Sequence, residues 1–418
     1  MNLHDAYLSM GKSTRALAGA GGLVTLAAIG IRSVGSAAAL AGMGFLLLVA
    51  AALFLLAGAG LLTQHRQRRI EQGHPDLFMV RNANRSEDAV RDGRVPRWSR
   101  LRRWIARRIF GHGLLVGDTV RVKSLAAIRA TLDANGCLDG LPFMDEMAII
   151  CDKTLRVYRV VDKIYDYGRS RLMRRLDDCV LLVDMRCDGS AHAGCEAACY
   201  LIWNAAWLDV VAPMAFSGAL EQTQHGDDAA PSDERMSCQY TQLTDASQPM
   251  RQLSLHGLLG PLVVGNVTTS AFLVALATRC FNSFQSWRGG ADYPSKPMPS
   301  DDKSIRGETL RSGDWVRIKL PAELARAMDR NSKNRGLWFD RDMLKHAGQV
   351  YRVRNRIDKI IDINSGKMIS MKTPCIALEG AHASGEFQNF GEQHDFMYWR
   401  EAWLTRIEPP VDVQQPAR

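Results

Sequence analysis

One stretch of this chain occurs twice. Residues 117–208 align with residues 313–404 at a constant offset of 196, without a gap, and 26 of the 92 positions are identical. Gly117-Asp118 and Val120-Arg121 return as Gly313-Asp314 and Val316-Arg317. Gly140-Leu141, Phe143 and Met147 return as Gly336-Leu337, Phe339 and Met343. Asp162-Lys163-Ile164 returns as Asp358-Lys359-Ile360, and Trp203 with Ala206-Trp207-Leu208 returns as Trp399 with Ala402-Trp403-Leu404. Such identity in one register marks a duplicated domain. It restricts the chain to folds that a segment of roughly 100 residues can build by itself.

Within a copy the pattern is mainly β. "DTVRVKS" alternates, "TLRVYRVVDKIYD" alternates again, and "CVLLVDM" reads as a buried strand. "AAIRATLDANG" has a helical period, and "CEAACYLIWNAAWL" is apolar at helical spacing, which predicts a closing helix. A Gly-Asp opening followed by short, strongly curved strands resembles the SH3-like small barrels. The predicted class is α+β: an N-terminal transmembrane hairpin, then two small, mainly β, SH3-like copies with short helices.

The hairpin is predicted from hydropathy. Ala16–Ile31 is apolar apart from Thr25, and Ser36–Leu62 contains no charge. About 20 apolar residues span a hydrocarbon core. The first run also fits a signal-peptide core with Ala37-Ala38-Ala39 as a cleavage-like site. Ala6–Ser13 loosely matches a phosphate-binding loop but has no strand before it. The formal charge of +9 is concentrated after the apolar runs. Residues 1–63 hold 3 bases and 1 acid (+2), residues 64–111 hold 13 Arg and 5 acids (+8), and the rest therefore sums to 9 − 2 − 8 = −1. A neutral body argues against nucleic-acid binding, and the basic flank predicts an inner (cell) membrane protein with its body facing the cytoplasm. Residues 97–110, "RWSRLRRWIARRIF", read as an amphipathic helix on anionic headgroups; a linker helix packed on the next domain is the alternative. The expected partners are membrane lipid, through 16–63 and 97–110, and another protein.

The chain thus divides into the hairpin (1–63), a basic juxtamembrane segment (64–111), the first copy (112–212), a linker with an apolar helix (213–312), the second copy (313–408) and a tail (409–418). In the linker, Gly257–Thr278 is charge-free. Pro261, Gly265 and Asn266 favour a helix packed on the domains over a third span.

Six of the nine cysteines lie between 137 and 199. Cys187, His192, Cys195 and Cys199, with Cys151 upstream, form the candidate metal set. Four soft or borderline donors suit structural zinc, and a helix would put Cys195 and Cys199 on one face. The duplication supplies a control: Cys151, Cys187, His192, Cys195 and Cys199 become Ala347, Ala383, Gln388, Gly391 and Asp395, whereas Cys179 persists as Cys375. Ligands of one ion are expected to disappear together. Ordinary core cysteines and an iron–sulfur centre stay open, since no CxxC knuckle is present.

The blocks Gly140–Met144, Met147, Cys151, Arg156-Val157, Arg186–Gly189, Ala191-His192, Gly194-Cys195, Cys199 and Trp203–Leu208 resemble an uncharacterised bacterial family with tandem GLPFM…RCDG…AHxGC…C…W…AWL repeats. The resemblance implies tandem domains and brings no established activity. The recurrent Asp118, Asp162 and Asp166 read as turn and strand-end charges, and the Trp pairs read as core. The expected function is a membrane-anchored, cytosol-facing binding scaffold with structural zinc in its first copy, serving a membrane-associated biosynthetic assembly. The alternatives are a metal-dependent enzyme using the Cys151–Cys199 cluster and a redox sensor with a reactive Cys195 or Cys199 thiolate.

Overall fold

The computed structural model describes residues 37–75, 87–95, 98–167, 170, 172–211, 235–250, 254–296, 307–387 and 395–410. Among the described residues, three helices precede the first sheet: α1 (Ala37–Glu71), α2 (Glu87–Arg91) and α3 (Arg100–Arg108). Ser99 caps α3 by accepting the N–H of Arg102.

The first copy holds β1 (Thr119–Val122), α4 (Leu125–Arg129), β2 (Cys137–Leu138), β3 (Leu141–Pro142), β4 (Thr154–Tyr165), β5 (Met173–Arg186), β6 (Tyr200–Asn204) and β7 (Leu208–Val210). Its main sheet runs β6-β5-β4-β1-β7, antiparallel throughout. Next come α5 (Gln239–Gln242), β8 (Gln248–Pro249), which pairs with β5, α6 (Leu255–Val264) and α7 (Thr269–Arg288). The second copy repeats the plan: β9 (Trp315–Ile318), α8 (Pro321–Arg326), β10 (Lys333–Asn334), β11 (Leu337–Trp338), β12 (Val350–Ile361), β13 (Met368–His382), β14 (Phe396–Trp399) and β15 (Leu404–Ile407). Its sheet order is β14-β13-β12-β9-β15.

Each copy is closed by the same three aromatic rings. Phe143 meets Trp207 edge-on at 5.4 Å and Trp203 at 6.3 Å; Phe339 meets Trp403 at 5.1 Å and Trp399 at 6.3 Å. All four tryptophans are fully buried, and edge-to-face pairs of this kind stabilise beyond their buried area. The surrounding helices differ. Val90, Ala106 and Val264 complete the first core, whereas Ile70 of α1, Tyr293 and Leu310 complete the second.

Several expectations need correction. Among the described residues, no helix is long and apolar enough to cross a membrane. This overturns the transmembrane hairpin in the predicted α+β, SH3-like architecture, and with it the membrane anchor and the inner-membrane, cytoplasm-facing placement. The described side chains of α1 include a polar last stretch, "TQHRQRRIE", of which Thr63, Arg66 and Ile70 are buried against the rest of the protein while Gln64, His65, Arg68 and Glu71 are exposed. Arg66 is buried, donates to Thr278 of α7 at 2.7 Å and pairs with Glu386 at 3.4 Å. The first arm of the hairpin, Ala16–Ile31, lies outside the described residues. The charge-free run 257–278 is two helices, α6 and α7, separated at Gly265 and re-initiated by the Thr268 cap. The closing helix expected over 195–208 is a strand, β6, followed by a one-turn 3-10 segment, Ala205–Trp207. Every residue of β6 is buried, so no alternation was there to read, and a short, wholly apolar run cannot reveal its own period.

The copies face each other through equivalent positions. Arg186 Nη2 lies 3.0 Å from His382 Nε2, its counterpart at offset 196. Arg186 also stacks on Tyr200 (3.5 Å) and on Phe396 (4.2 Å), themselves an equivalent pair. Self-contact of equivalent positions is the signature of a two-fold relation.

Candidate metal centre

The 3-10 turn Asp145–Ile150 of the first copy packs on the short turn Ser190–His192. The second turn is made tight by Gly189, whose φ is +79°; a Cβ there would stand 2.2 Å from the Cys195 carbonyl oxygen. Only glycine fits such a position. Gly194 N–H donates to the Gly189 carbonyl, Cys195 N–H to that of His192, and Cys187 N–H to that of Cys199.

This folding brings Glu146, Cys187 and His192 together. One potential ligand atom from each lies within 4.8 Å of the others, so the triad could hold a metal ion. Cys187 Sγ is 3.6 Å from His192 Nδ1, and Glu146 Oε1 is 3.8 Å from the same nitrogen. Zinc–sulfur and zinc–nitrogen bonds of about 2.3 and 2.05 Å at a tetrahedral angle place S and N about 3.6 Å apart. The glutamate and histidine side chains are 5% and 2% exposed. Both Glu146 oxygens and His192 Nε2 are buried without a hydrogen-bond partner, a costly arrangement for a carboxylate unless a cation joins it. Burial, then the Glu146 charge, pushes the Cys187 thiol well above its ordinary range; a metal ion reverses that by taking the thiolate as ligand.

The second copy handles its equivalent carboxylate differently. Asp342 stands where Glu146 does, and Lys345 pairs with it at 2.5 Å and with Glu386 at 2.6 Å. Ser384 donates its hydroxyl to Asp342 at 2.7 Å. Burial opposes ionisation of Asp342, but Lys345 and Ser384 outweigh it and hold the carboxyl below its usual range. Lys345 is itself held above its ordinary range, because Asp342 and Glu386 outweigh the desolvation.

The remaining predicted ligands are placed apart from this triad. Cys195 Sγ accepts the N–H of Ile361 in the second copy at 3.4 Å. Cys195 and Cys199 line a cavity between the copies. Cys151 ends the Asp145–Ile150 turn, where burial and then Asp152 raise its thiol. Burial likewise raises Cys195 and Cys199, the latter also facing Asp395. Burial thus works against the low-pKa thiolate that the redox-sensor alternative needs at Cys195 or Cys199. The sequence reading missed Glu146. Its one signal was an acid in the same place in both copies, Glu146 and Asp342, beside the identical Met147 and Met343.

No family model matches the sequence, no curated protein matches it, and no solved structure matches the fold.

Proposed function

We propose that this chain is a binding scaffold whose first copy is organised by a structural zinc ion on Glu146, Cys187 and His192. The observation that carries the reading is the buried Glu146 carboxylate, neither of whose oxygens is hydrogen-bonded among the described residues, set against Asp342, where an ammonium supplies the positive charge. A carboxylate, an imidazole and a thiolate form a donor set suited to zinc. The three supply three of the four positions of a tetrahedral zinc site; none of them lines the cavity between the copies, and the role proposed for the ion is therefore structural.

The ion's mechanical role follows from the loop that carries two of the ligands. Immediately after His192, Cys195 and Glu196 reach the second copy. Glu196 N–H donates to the Lys359 carbonyl at 3.1 Å. The Glu196 carboxylate accepts the N–H groups of Asp358 (2.6 Å) and Lys359 (3.2 Å). Fixing the loop at one end thus fastens the copies at the other. For a protein partner, α3 offers exposed Leu101, Trp104 and Ile109 with exposed Arg100, Arg107 and Arg108 around them. An apolar patch with a basic rim suits an acidic protein surface.

The test is elemental analysis of the purified full-length chain. One zinc per chain is expected, falling to near zero in Glu146→Gln, Cys187→Ala and His192→Ala and retained in Cys151→Ala. A metal-free wild-type chain that resists added zinc, or Glu146→Gln retaining full zinc, would overturn the assignment.

A further inference from the structure

A cavity of about 720 Å³ lies between the two copies, walled by the metal-bearing loop on one side and by the second copy on the other. Its volume is that of an ordinary small-molecule site. The walls are largely aromatic and aliphatic, with Tyr240, Trp338 and Phe387 among the rings.

The charged groups on those walls are mostly spoken for. Asp342 is paired with Lys345. Arg341 is paired with Asp292 at 3.2 Å. Asp395 accepts the Tyr240 hydroxyl at 2.8 Å, and burial raises its carboxyl towards the neutral form. Asp340 accepts the N–H of Asp342 at 2.8 Å and caps the turn that follows. Lys296 is the exception. Among the described residues it has neither a hydrogen bond nor an ion pair, and its Nζ lies 5.0 Å from the centre of the Trp338 ring. A partly desolvated ammonium over an aromatic face, at the edge of an apolar cavity, is one half of a recognition site. Burial lowers its proton affinity although the Asp340 carboxyl, itself pushed towards the neutral form by burial, acts the other way; an anion seated on the ammonium would restore it.

We propose that this cavity binds a small, flat, largely apolar anion, a carboxylate or sulfonate, with its charge on Lys296 and its body against Trp338 and Phe387. The aromatic walls supply the burial, and the ammonium fixes the orientation. The site is distinct from the metal triad, so its existence does not depend on the zinc assignment.

Anilinonaphthalene sulfonate, an aromatic monoanion, is a direct probe. Calorimetric and fluorescence titration into the full-length chain should give one saturable site. Lys296→Met should weaken binding at least tenfold while leaving the uncharged analogue N-phenylnaphthylamine within about twofold. Ala197→Trp, which fills the cavity from the loop side, should abolish both. Lys333→Met is the control: Lys333 also lies over Trp338, at 5.9 Å, but does not line the cavity, and its loss should leave binding unchanged. Thermal melts check that each variant is folded; should Ala197→Trp unfold, the comparison of Lys296→Met with Lys333→Met still decides. Equal weakening by the two lysine variants, no effect of Lys296→Met, or binding without saturation would each sink the proposal. One-to-one binding lost in Glu146→Gln along with the zinc would leave the site standing and assign its loop-side wall to the metal.

Discussion

The two copies share a sheet, an aromatic core and a buried acid, and they differ in what neutralises that acid. In the first copy Glu146 sits beside Cys187 and His192 with its oxygens unpartnered. In the second, Asp342 is met by Lys345, with Glu386 and Arg66 extending the network. The same fold therefore offers two routes to charge balance, one supplied by the chain and one that an ion held by the triad could supply. The internal route is local to the second copy, Lys345 pairing with Asp342 three residues before it, with Arg66 of α1 adding a second cation on Glu386; Ile149, the counterpart of Lys345, is exposed in the first copy. The segments packed around the two copies differ, while the sheet order is the same.

The largest test of this contrast is Lys345→Met. It strands Asp342 and leaves Glu386 with Arg66 alone, both carboxylates being nearly inaccessible, and removing one member of a buried ion pair costs about 3–5 kcal/mol. Denaturant unfolding should show that loss, and adding zinc should not restore it. Recovery on adding zinc would mean that the second site can also use a metal, breaking the contrast.

Acid should distinguish the copies next. His346 is buried, with its Nδ1 2.5 Å from the Tyr351 hydroxyl, and burial lowers its pKa from 6.5 to about 4. Above pH 6.5 neither the folded nor the unfolded state carries the proton, so nothing is lost. Between 6.5 and 4 the unfolded chain takes up a proton that the folded chain refuses, and stability falls by about 3 kcal/mol. The first copy has the apolar Ile150 at this position. His346→Ile should therefore flatten this part of the pH–stability curve; an unchanged slope would place the acid-sensitive group elsewhere.

The smallest effect concerns the fastening between the copies. Glu196→Ala removes the acceptor for two backbone N–H groups, at about 1 kcal/mol in total for a contact this open to solvent. Hydrogen exchange at Asp358 and Lys359 should accelerate several-fold, with zinc content unchanged. Loss of zinc in this variant would show that loop and metal site are a single unit rather than two linked ones.

Much of the architecture was legible in the residues. The register of 196 carries over to the strands, β1 to β9 and β4 to β12, because one pattern of buried positions produces one sheet order. The alternation in "TLRVYRVVDKIYD" predicts the strand that forms as β4, Thr154–Tyr165. The helix expected over Cys195–Leu208 failed because a strand buried on both faces has no polar phase. The hairpin failed because hydropathy scores apolar length, whereas the fate of a helix also depends on what its polar end packs against, here Thr278 and Glu386.

By itself the sequence established that a domain was duplicated and that only the earlier copy keeps a set of sulfur and imidazole donors, since both facts are patterns along one dimension. Tertiary structure decided which donors converge. Glu146 joins Cys187 and His192 because a turn from far upstream packs beneath the Gly189 bend, while Cys195 and Cys199 turn towards the second copy. Convergence of that kind depends on distances through space, and spacing along the chain does not encode it.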